Sequence, residues 1–317
     1  MCNGVDWFPE SYIQVRNDKW KNNSYVPSWV NVEKAGLDQF YTNPDIAAYL
    51  YSSLLNIVEK DGKTNINDFH FIEPSAGMCA FYDRLPKDKR IGIDIIPYKE
   101  GIIQEDFLSW NHIKKKKYIV IGNPPFGYRG WLALSFLNKA AQFSEYVGFI
   151  LPMSFQSDGK GSPKHRVKGM KLLYSEYLPD NTFLNPNGKN VKVNALWQVW
   201  GKGENRKKER QTCKEWIDLF TVDMRKERLC GQRRLAEADC FLQRTFYTEP
   251  PLPVKTFDKV KYVCGYGIVI KKDKKQVEKD LYTVDWRNYS NLATHNCRHI
   301  SMYHIENAMV NMGYVDA

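Results

Sequence analysis

Residues 121–127 read Ile-Gly-Asn-Pro-Pro-Phe-Gly, directly after the apolar run Tyr118-Ile119-Val120. These residue types suit one task, holding a planar exocyclic amine. The Asn123 side-chain oxygen accepts a hydrogen bond, and the peptide of Pro124, which has no N–H, presents only its carbonyl. Pro124 and Pro125 stiffen the turn, so both acceptors keep a fixed geometry. Phe126 offers a ring face for stacking a base, a contact worth about 1–3 kcal/mol. Gly127 lets the backbone pass close to a ligand. Taken alone, Asn-Pro-Pro also fits a plain proline-rich turn after a strand.

Three further strand tips precede this one. Residues 70–81 read His-Phe-Ile-Glu-Pro-Ser-Ala-Gly-Met-Cys-Ala-Phe: an apolar strand end, an acid, small residues and a glycine, then a helix-like segment. Such a strand–loop–helix unit binds nucleotides at the carboxyl end of its strand. Arg90-Ile91-Gly92-Ile93-Asp94 is a second apolar strand with an acid at its tip. Asp94 follows Glu73 by about twenty residues, the spacing at which an acid reaches ribose hydroxyls in such folds. A third tip is Gln104-Glu105-Asp106-Phe107-Leu108.

With these four segments the chain resembles the S-adenosylmethionine-dependent N6-adenine DNA methyltransferases, in the gamma order that places target recognition last. Gln39-Phe40-Tyr41-Thr42-Asn43-Pro44 resembles the family's upstream cofactor motif, and Glu73-Pro74-Ser75-Ala76-Gly77-Met78-Cys79-Ala80-Phe81 its cofactor loop. Asp106-Phe107-Leu108 is similar to the acidic motif at the cofactor's adenine, and Asn123-Pro124-Pro125-Phe126 to the catalytic tetrapeptide. The resemblance covers roughly residues 36–201. It implies S-adenosyl-L-methionine as cofactor, held by Tyr41, Thr42, Glu73, Ser75, Ala76, Gly77, Asp94, Ile95, Asp106, Phe107 and Asn123. It also implies catalysis by Asn123, Pro124, Pro125 and Phe126 on an adenine flipped out of double-stranded DNA. Two residues depart from the pattern. Cys79 stands where the family has its second glycine, and a Cβ there restricts positive φ. Asn43 lengthens the upstream motif by one residue.

Of the 317 residues, 43% are hydrophobic, enough for a sizeable core and a length that fits two domains. No apolar run approaches the ~18 residues that cross a bilayer, and the first twenty residues do not form a signal peptide. The seven scattered cysteines lack a Cys-x-x-Cys pair and read as reduced thiols, so a cytoplasmic setting is expected, in a bacterium or for a virus-encoded protein. A zinc site from the late cysteines with His295, His299 or His304 has the wrong spacing, so no metal is expected. A net charge of +10 fits a polyanionic partner. Lys160 and Lys164, in the Gly- and Lys-containing loop 156–164 read as mobile near the site's mouth, and Arg233 and Arg234 are the candidate nucleic-acid contacts.

The expected organisation follows. An aromatic-rich leader (Trp7, Phe8, Tyr12, Trp20, Tyr25, Trp29) covers residues 1–35. Helices are expected over about 44–59 and 130–143, strands near 69–72, 91–94, 118–121, 147–151, 191–200 and 260–270, and a charged linker over 202–214. The fold class is α/β, a Rossmann-like methyltransferase sheet with helices on both faces over residues 1–204, plus a smaller α+β target-recognition domain over 205–317. The function implied by the resemblance is site-specific adenine methylation of DNA, as an orphan enzyme or beside a cognate restriction endonuclease. An RNA adenine methyltransferase and a non-catalytic nucleic-acid-binding relative are the alternatives. An N4-cytosine or protein-glutamine methyltransferase uses a related loop.

Overall fold

The computed structural model describes residues 40–317 except 63–64, 113, 115, 160, 186, 207–208, 226–229, 262 and 294–295. The aromatic leader, Gln39, Lys160 and His295 therefore lie outside the described residues. The chain divides into two compact units, one holding residues 40–155 and 166–205, the other 156–165 and 206–317.

Unit 1 is built on ten strands: β1 (Tyr41–Thr42), β2 (Phe69–Glu73), β3 (Arg90–Asp94), β4 (Ile102–Gln104), β5 (Lys117–Gly122), β6 (Tyr146–Pro152), β7 (Met170–Tyr177), β8 (Phe183–Leu184), β9 (Asn190–Val191) and β10 (Ala195–Lys202). Seven form one sheet in the order β4-β3-β2-β5-β6-β10-β7. Strands β2 to β6 pair in parallel, and β10 runs antiparallel to both β6 and β7. The chain winds outward from β2 to β4, then returns to start β5 on the other side of β2. This reversal makes a crevice at the carboxyl ends of β2 and β5, where open α/β sheets bind ligands. All seven residues of β6 are buried, as expected of a parallel strand covered on both faces.

Helix α1 (Pro44–Asp61) covers one face, burying Ala47, Leu50, Leu54 and Val58 against Phe69, Ile119, Ile121, Ile150 and Trp197. The extra residue of the upstream motif explains its start. Asn43 is the N-cap: its side chain accepts from Asp45 N at 3.0 Å, and Pro44 occupies the first turn. Asn43 N also donates to Thr182 O at 2.9 Å, beside the β1–β8 pairing. Helix α2 (Trp131–Ala141) lies on the other face. There Phe136 meets Phe107 at 5.3 Å, and Phe143 stacks on His112 and packs edge-on to Tyr118.

The helix-like segment expected after Glu73 is instead a pair of turns and one short 3-10 turn, Tyr82–Arg84. Positive φ at Gly77 and Cys79 and the proline at 86 leave no room for a longer helix. The strand expected over 191–200 is broken into β9 and β10. Val193, Ala195, Trp197 and Val199 do share one face, packed on the α1 core.

Unit 2 contains an antiparallel sheet of β11 (Ile217–Asp223), β14 (Cys264–Ile270) and β12 (Cys240–Gln243). A second, small sheet joins β13 (Thr245–Phe246), β16 (Arg298–His299) and β15 (Asn291–Leu292). Helices α3 (Lys274–Thr283) and α4 (Met302–Asn311) bury Val277, Leu281, Ile305, Ala308 and Met309 in one core with Ile268 and Trp286. Residues 156–164 read in the sequence as a mobile loop, and the structural segment is 156–165. In the structure it belongs to this unit, with Ser162 and Pro163 buried and Lys164 paired to Asp158.

Candidate functional site

The segments that follow β2, β3, β4 and β5 carry the candidate residues at the carboxyl edge of the sheet, around the crevice between β2 and β5. After β2, Glu73 is 2% exposed and its Oε2 accepts from Tyr82 N at 2.6 Å. Burial pushes its carboxyl well above the usual range, outweighing the opposing main-chain hydrogen bonds. Gly77 then turns at φ 47° and donates its N–H to Asp94 Oδ2 at 2.7 Å. A Cβ on Gly77 would touch the Tyr41 ring at 3.4 Å. The other Asp94 oxygen accepts from Ile96 N at 2.8 Å. The carboxylate of Asp94 is thus oriented by main-chain N–H groups of its own turn and of the loop after β2. Burial raises its pKa.

Cys79, the departure from the glycine pattern, sits at φ 66° and is fully buried. The loop thus adopts the conformation a glycine favours, with a side chain in place. Burial lifts the thiol to about 11, so it stays protonated and unreactive.

Asp106, beyond β4, is 5% exposed. Its Oδ1 accepts from Leu108 N at 2.9 Å, whereas its buried Oδ2 has no hydrogen-bond partner. An orphaned carboxylate oxygen is costly unless a donor arrives from outside the fold. Phe107, expected at the same contact, has its ring committed to Trp110, Phe136 and Phe143. Ile95 is half-buried, and its carbonyl accepts from Gln104 at 3.4 Å.

The turn after β5 carries the acceptors. Asn123 Nδ2 donates to Phe40 O at 2.8 Å. A carbonyl can only accept, so the nitrogen must take that side and Oδ1 faces the other way. Ser75 Oγ donates to Asn123 O at 3.0 Å. Among the described residues, no donor meets Asn123 Oδ1 or the Pro124 carbonyl. Pro125 is half-buried.

Two expectations for this turn need correction. Phe126 is turned inward: it is 6% exposed, belongs to the α1-face core and meets Phe183 edge-on at 6.4 Å. Its ring is a core contact, and little of its face is left for a base. Gly127, at φ 65°, makes room for helix α2 rather than for a ligand, since a Cβ would press on Leu132 at 2.8 Å.

Of the basic candidates, Lys164 pairs with Asp158 inside its own segment, and Lys160 lies outside the described residues. Arg234 pairs with Asp218 at 2.6 Å and Glu237 at 2.8 Å and lies over the Phe220 ring, while Arg233 beside it is exposed. Among the described residues no cluster of His, Cys, Asp and Glu could hold a metal ion, and no helix is long and apolar enough to cross a membrane. Sequence reasoning missed the Phe40 carbonyl and the Ser75 hydroxyl as restraints on Asn123. Both act across more than forty residues, and no local pattern marks them.

No protein-family model and no curated protein matches the chain. Among solved structures it is similar to a protein assigned as a modification subunit of a type I restriction enzyme from Vibrio vulnificus. That match has 12% identity, 60% of this chain, 48% of that one and a TM-score of 0.37. It is also similar to a protein from Pyrococcus horikoshii assigned as an RNA methyltransferase (17% identity, 61% of this chain, 99% of that one, TM-score 0.38). A third is magnesium protoporphyrin IX methyltransferase from Synechocystis, solved with bound S-adenosylmethionine (12% identity, 63% of this chain, all of that one, TM-score 0.34). The chain thus spans about half the length of the Vibrio protein. The likeness is remote, and the fold assignment rests on the strand order itself.

Proposed function

We propose that the chain is an S-adenosyl-L-methionine-dependent methyltransferase acting on N6 of an adenine flipped out of double-stranded DNA, with unit 2 reading the target. The observation that carries this reading is the polarity of Asn123. Its amide nitrogen is spent on Phe40, which leaves its oxygen, together with the carbonyl of the adjacent Pro124, as the acceptors offered to an amine. Two acceptors fixed on a proline-stiffened turn match the two hydrogens of an exocyclic amine. They favour a more tetrahedral nitrogen, which is better realised in the transition state than in the ground state.

The residues around the crevice fit the cofactor. The orphaned Oδ2 of Asp106 awaits a donor such as the exocyclic amine of an adenosyl group. Asp94, oriented by two N–H groups, suits ribose hydroxyls. The loop from Glu73 to Cys79 would take the methionine end. When bound, the cofactor supplies an electrophilic methyl on a sulfonium, so no metal is required. Transfer would form a C–N bond as the C–S bond breaks with its electron pair left on sulfur, and the nitrogen held by Asn123 and Pro124 would lose one proton.

The test is to express the full chain in a methylation-free host and map modified adenines by long-read sequencing. N6-methyladenine at a defined sequence is expected. Tritiated methyl appearing in RNA and not in DNA would move the substrate to RNA. Transfer to neither, with no binding of S-adenosylhomocysteine by calorimetry, would overturn the reading.

A further inference from the structure

Resting on the methyl-transfer reading, we propose that Ser75 is a positioning residue that aims the amine acceptors of the Asn123 turn from within the cofactor loop. The Ser75 hydroxyl donates to the main-chain oxygen of Asn123 at 3.0 Å. That oxygen belongs to the tertiary amide joining Asn123 to Pro124, the peptide that hinges the two acceptors. A residue before proline is already confined to extended backbone. A donor on its carbonyl then fixes the orientation of the peptide plane. The side chain of the same residue is held from the opposite quarter by Phe40 O at 2.8 Å. Asn123 is therefore clamped at both its main chain and its amide.

Both clamps originate in segments assigned to the cofactor. Ser75 lies two residues beyond Glu73 in the loop, and Phe40 adjoins Tyr41, against whose ring Gly77 packs. Gly77 is in turn fixed by Asp94. A shift of the loop moves the Ser75 restraint on Asn123 directly. The resemblance assigns Ser75 to the cofactor, and its hydroxyl donates to the main chain of the Asn123 turn. Its removal should cost rate more than cofactor affinity, because a small misplacement of a reacting group costs orders of magnitude in rate.

The experiment compares the full chain with Ser75→Ala and Ser75→Thr. The initial rate of tritiated methyl transfer is measured at saturating S-adenosylmethionine, with DNA from a methylation-free host as acceptor. Ser75→Ala should lose at least about tenfold in rate, while its calorimetric Kd for S-adenosylhomocysteine changes less than about threefold. Ser75→Thr, which keeps the hydroxyl, should recover most of the rate. Hydrogen exchange gives a readout independent of activity. The amides of Gly122, Asn123, Phe126 and Gly127 should exchange faster in Ser75→Ala and return to wild-type behaviour in Ser75→Thr. Unchanged rate and exchange in Ser75→Ala would overturn the proposal. So would an affinity loss as large as the rate loss, since that marks a direct cofactor contact. A wild-type protein that transfers no methyl group sinks the functional reading, and the exchange data then decide the clamp alone.

Discussion

The carboxamide nitrogen of Asn123 lies 2.8 Å from the main-chain oxygen of Phe40, so the residue proposed to receive the amine is itself oriented by a carbonyl. Replacement by Asp sets a carboxylate oxygen against that carbonyl and turns an attraction into a repulsion. Asn123→Asp should therefore lose both turnover and about 1–3 kcal/mol of stability. Asn123→Ala should lose turnover with near-normal cofactor affinity. A rate above about a tenth of wild type in the alanine variant corresponds to less than roughly 1.4 kcal/mol, too little for the assigned role. Phe126→Ala cannot serve as the matching test of base stacking. Removing a core ring costs about 3–5 kcal/mol of stability by itself.

The strand tips and their order were legible in the sequence because each strand is an apolar run ended by a polar residue. Glu73, Asp94 and Gly122–Asn123 end β2, β3 and β5 as expected. The use of side chains at those tips was less legible. Phe126 reads from its motif as a stacking ring, yet it is packed in the core, and the ring of Phe107, which the resemblance places at the cofactor, is buried as well. Nothing local distinguishes an aromatic turned outward from one turned inward when strands and helices on both faces compete for it. The clamp on Asn123 and the grouping of residues 156–165 with unit 2 depend on pairings distant in sequence, which periodicity does not encode.

Asp106 offers the sharpest test of the cofactor assignment. In Asp106→Asn the amide oxygen should stay on Leu108 N, which needs an acceptor, and place its NH2 where Oδ2 now stands. A donor then faces an incoming donor. The Kd for S-adenosylhomocysteine should weaken at least about tenfold, the loss of one hydrogen bond to a charged group. The unliganded protein should melt at a similar temperature, because Oδ2 has no partner to lose and the bond from Leu108 N is kept. Unchanged affinity would leave the orphaned oxygen unexplained and the adenosyl placement wrong.

Glu73 should tie stability to pH. Its folded-state carboxyl holds a proton more tightly than the unfolded one. The folded state thus binds more protons across the window from the ordinary carboxylate pKa up to the raised value, and stability falls as pH rises through it. Glu73→Gln keeps an acceptor for Tyr82 N and removes the titration. Denaturant unfolding from pH 5 to 8 should show the variant gaining on wild type as pH rises. A constant difference between the two proteins across that range would contradict the assignment.

Cys79 occupies a left-handed conformation that costs a non-glycine residue about 1 kcal/mol or more. Cys79→Gly releases that strain but empties the buried space of one sulfur, so stability should stay within about 1 kcal/mol of wild type. Cofactor affinity should hold or tighten. Cys79→Val, β-branched at the same φ, should be the damaging variant in both respects. Loss of methyl transfer in Cys79→Gly alone, with the fold intact, would give the thiol a role beyond filling space.

Arg233 and Arg234 are neighbours in sequence with different commitments, and single variants separate them. Arg234 is engaged by Asp218, Glu237 and the Phe220 face, so Arg234→Ala should lower the unfolding midpoint of unit 2. Arg233 is exposed, so Arg233→Ala should leave that midpoint unchanged. If Arg233 meets a phosphate, its loss weakens binding to all duplexes alike and lowers the salt slope by about one; if it reads a base edge, the methylated sequence relaxes instead. The measurements are binding of duplex DNA across a salt series and the methylome of the variant. Unchanged affinity, slope and methylome in Arg233→Ala would remove this residue from the nucleic-acid surface and leave the charge of unit 2 without a contact assigned at this turn.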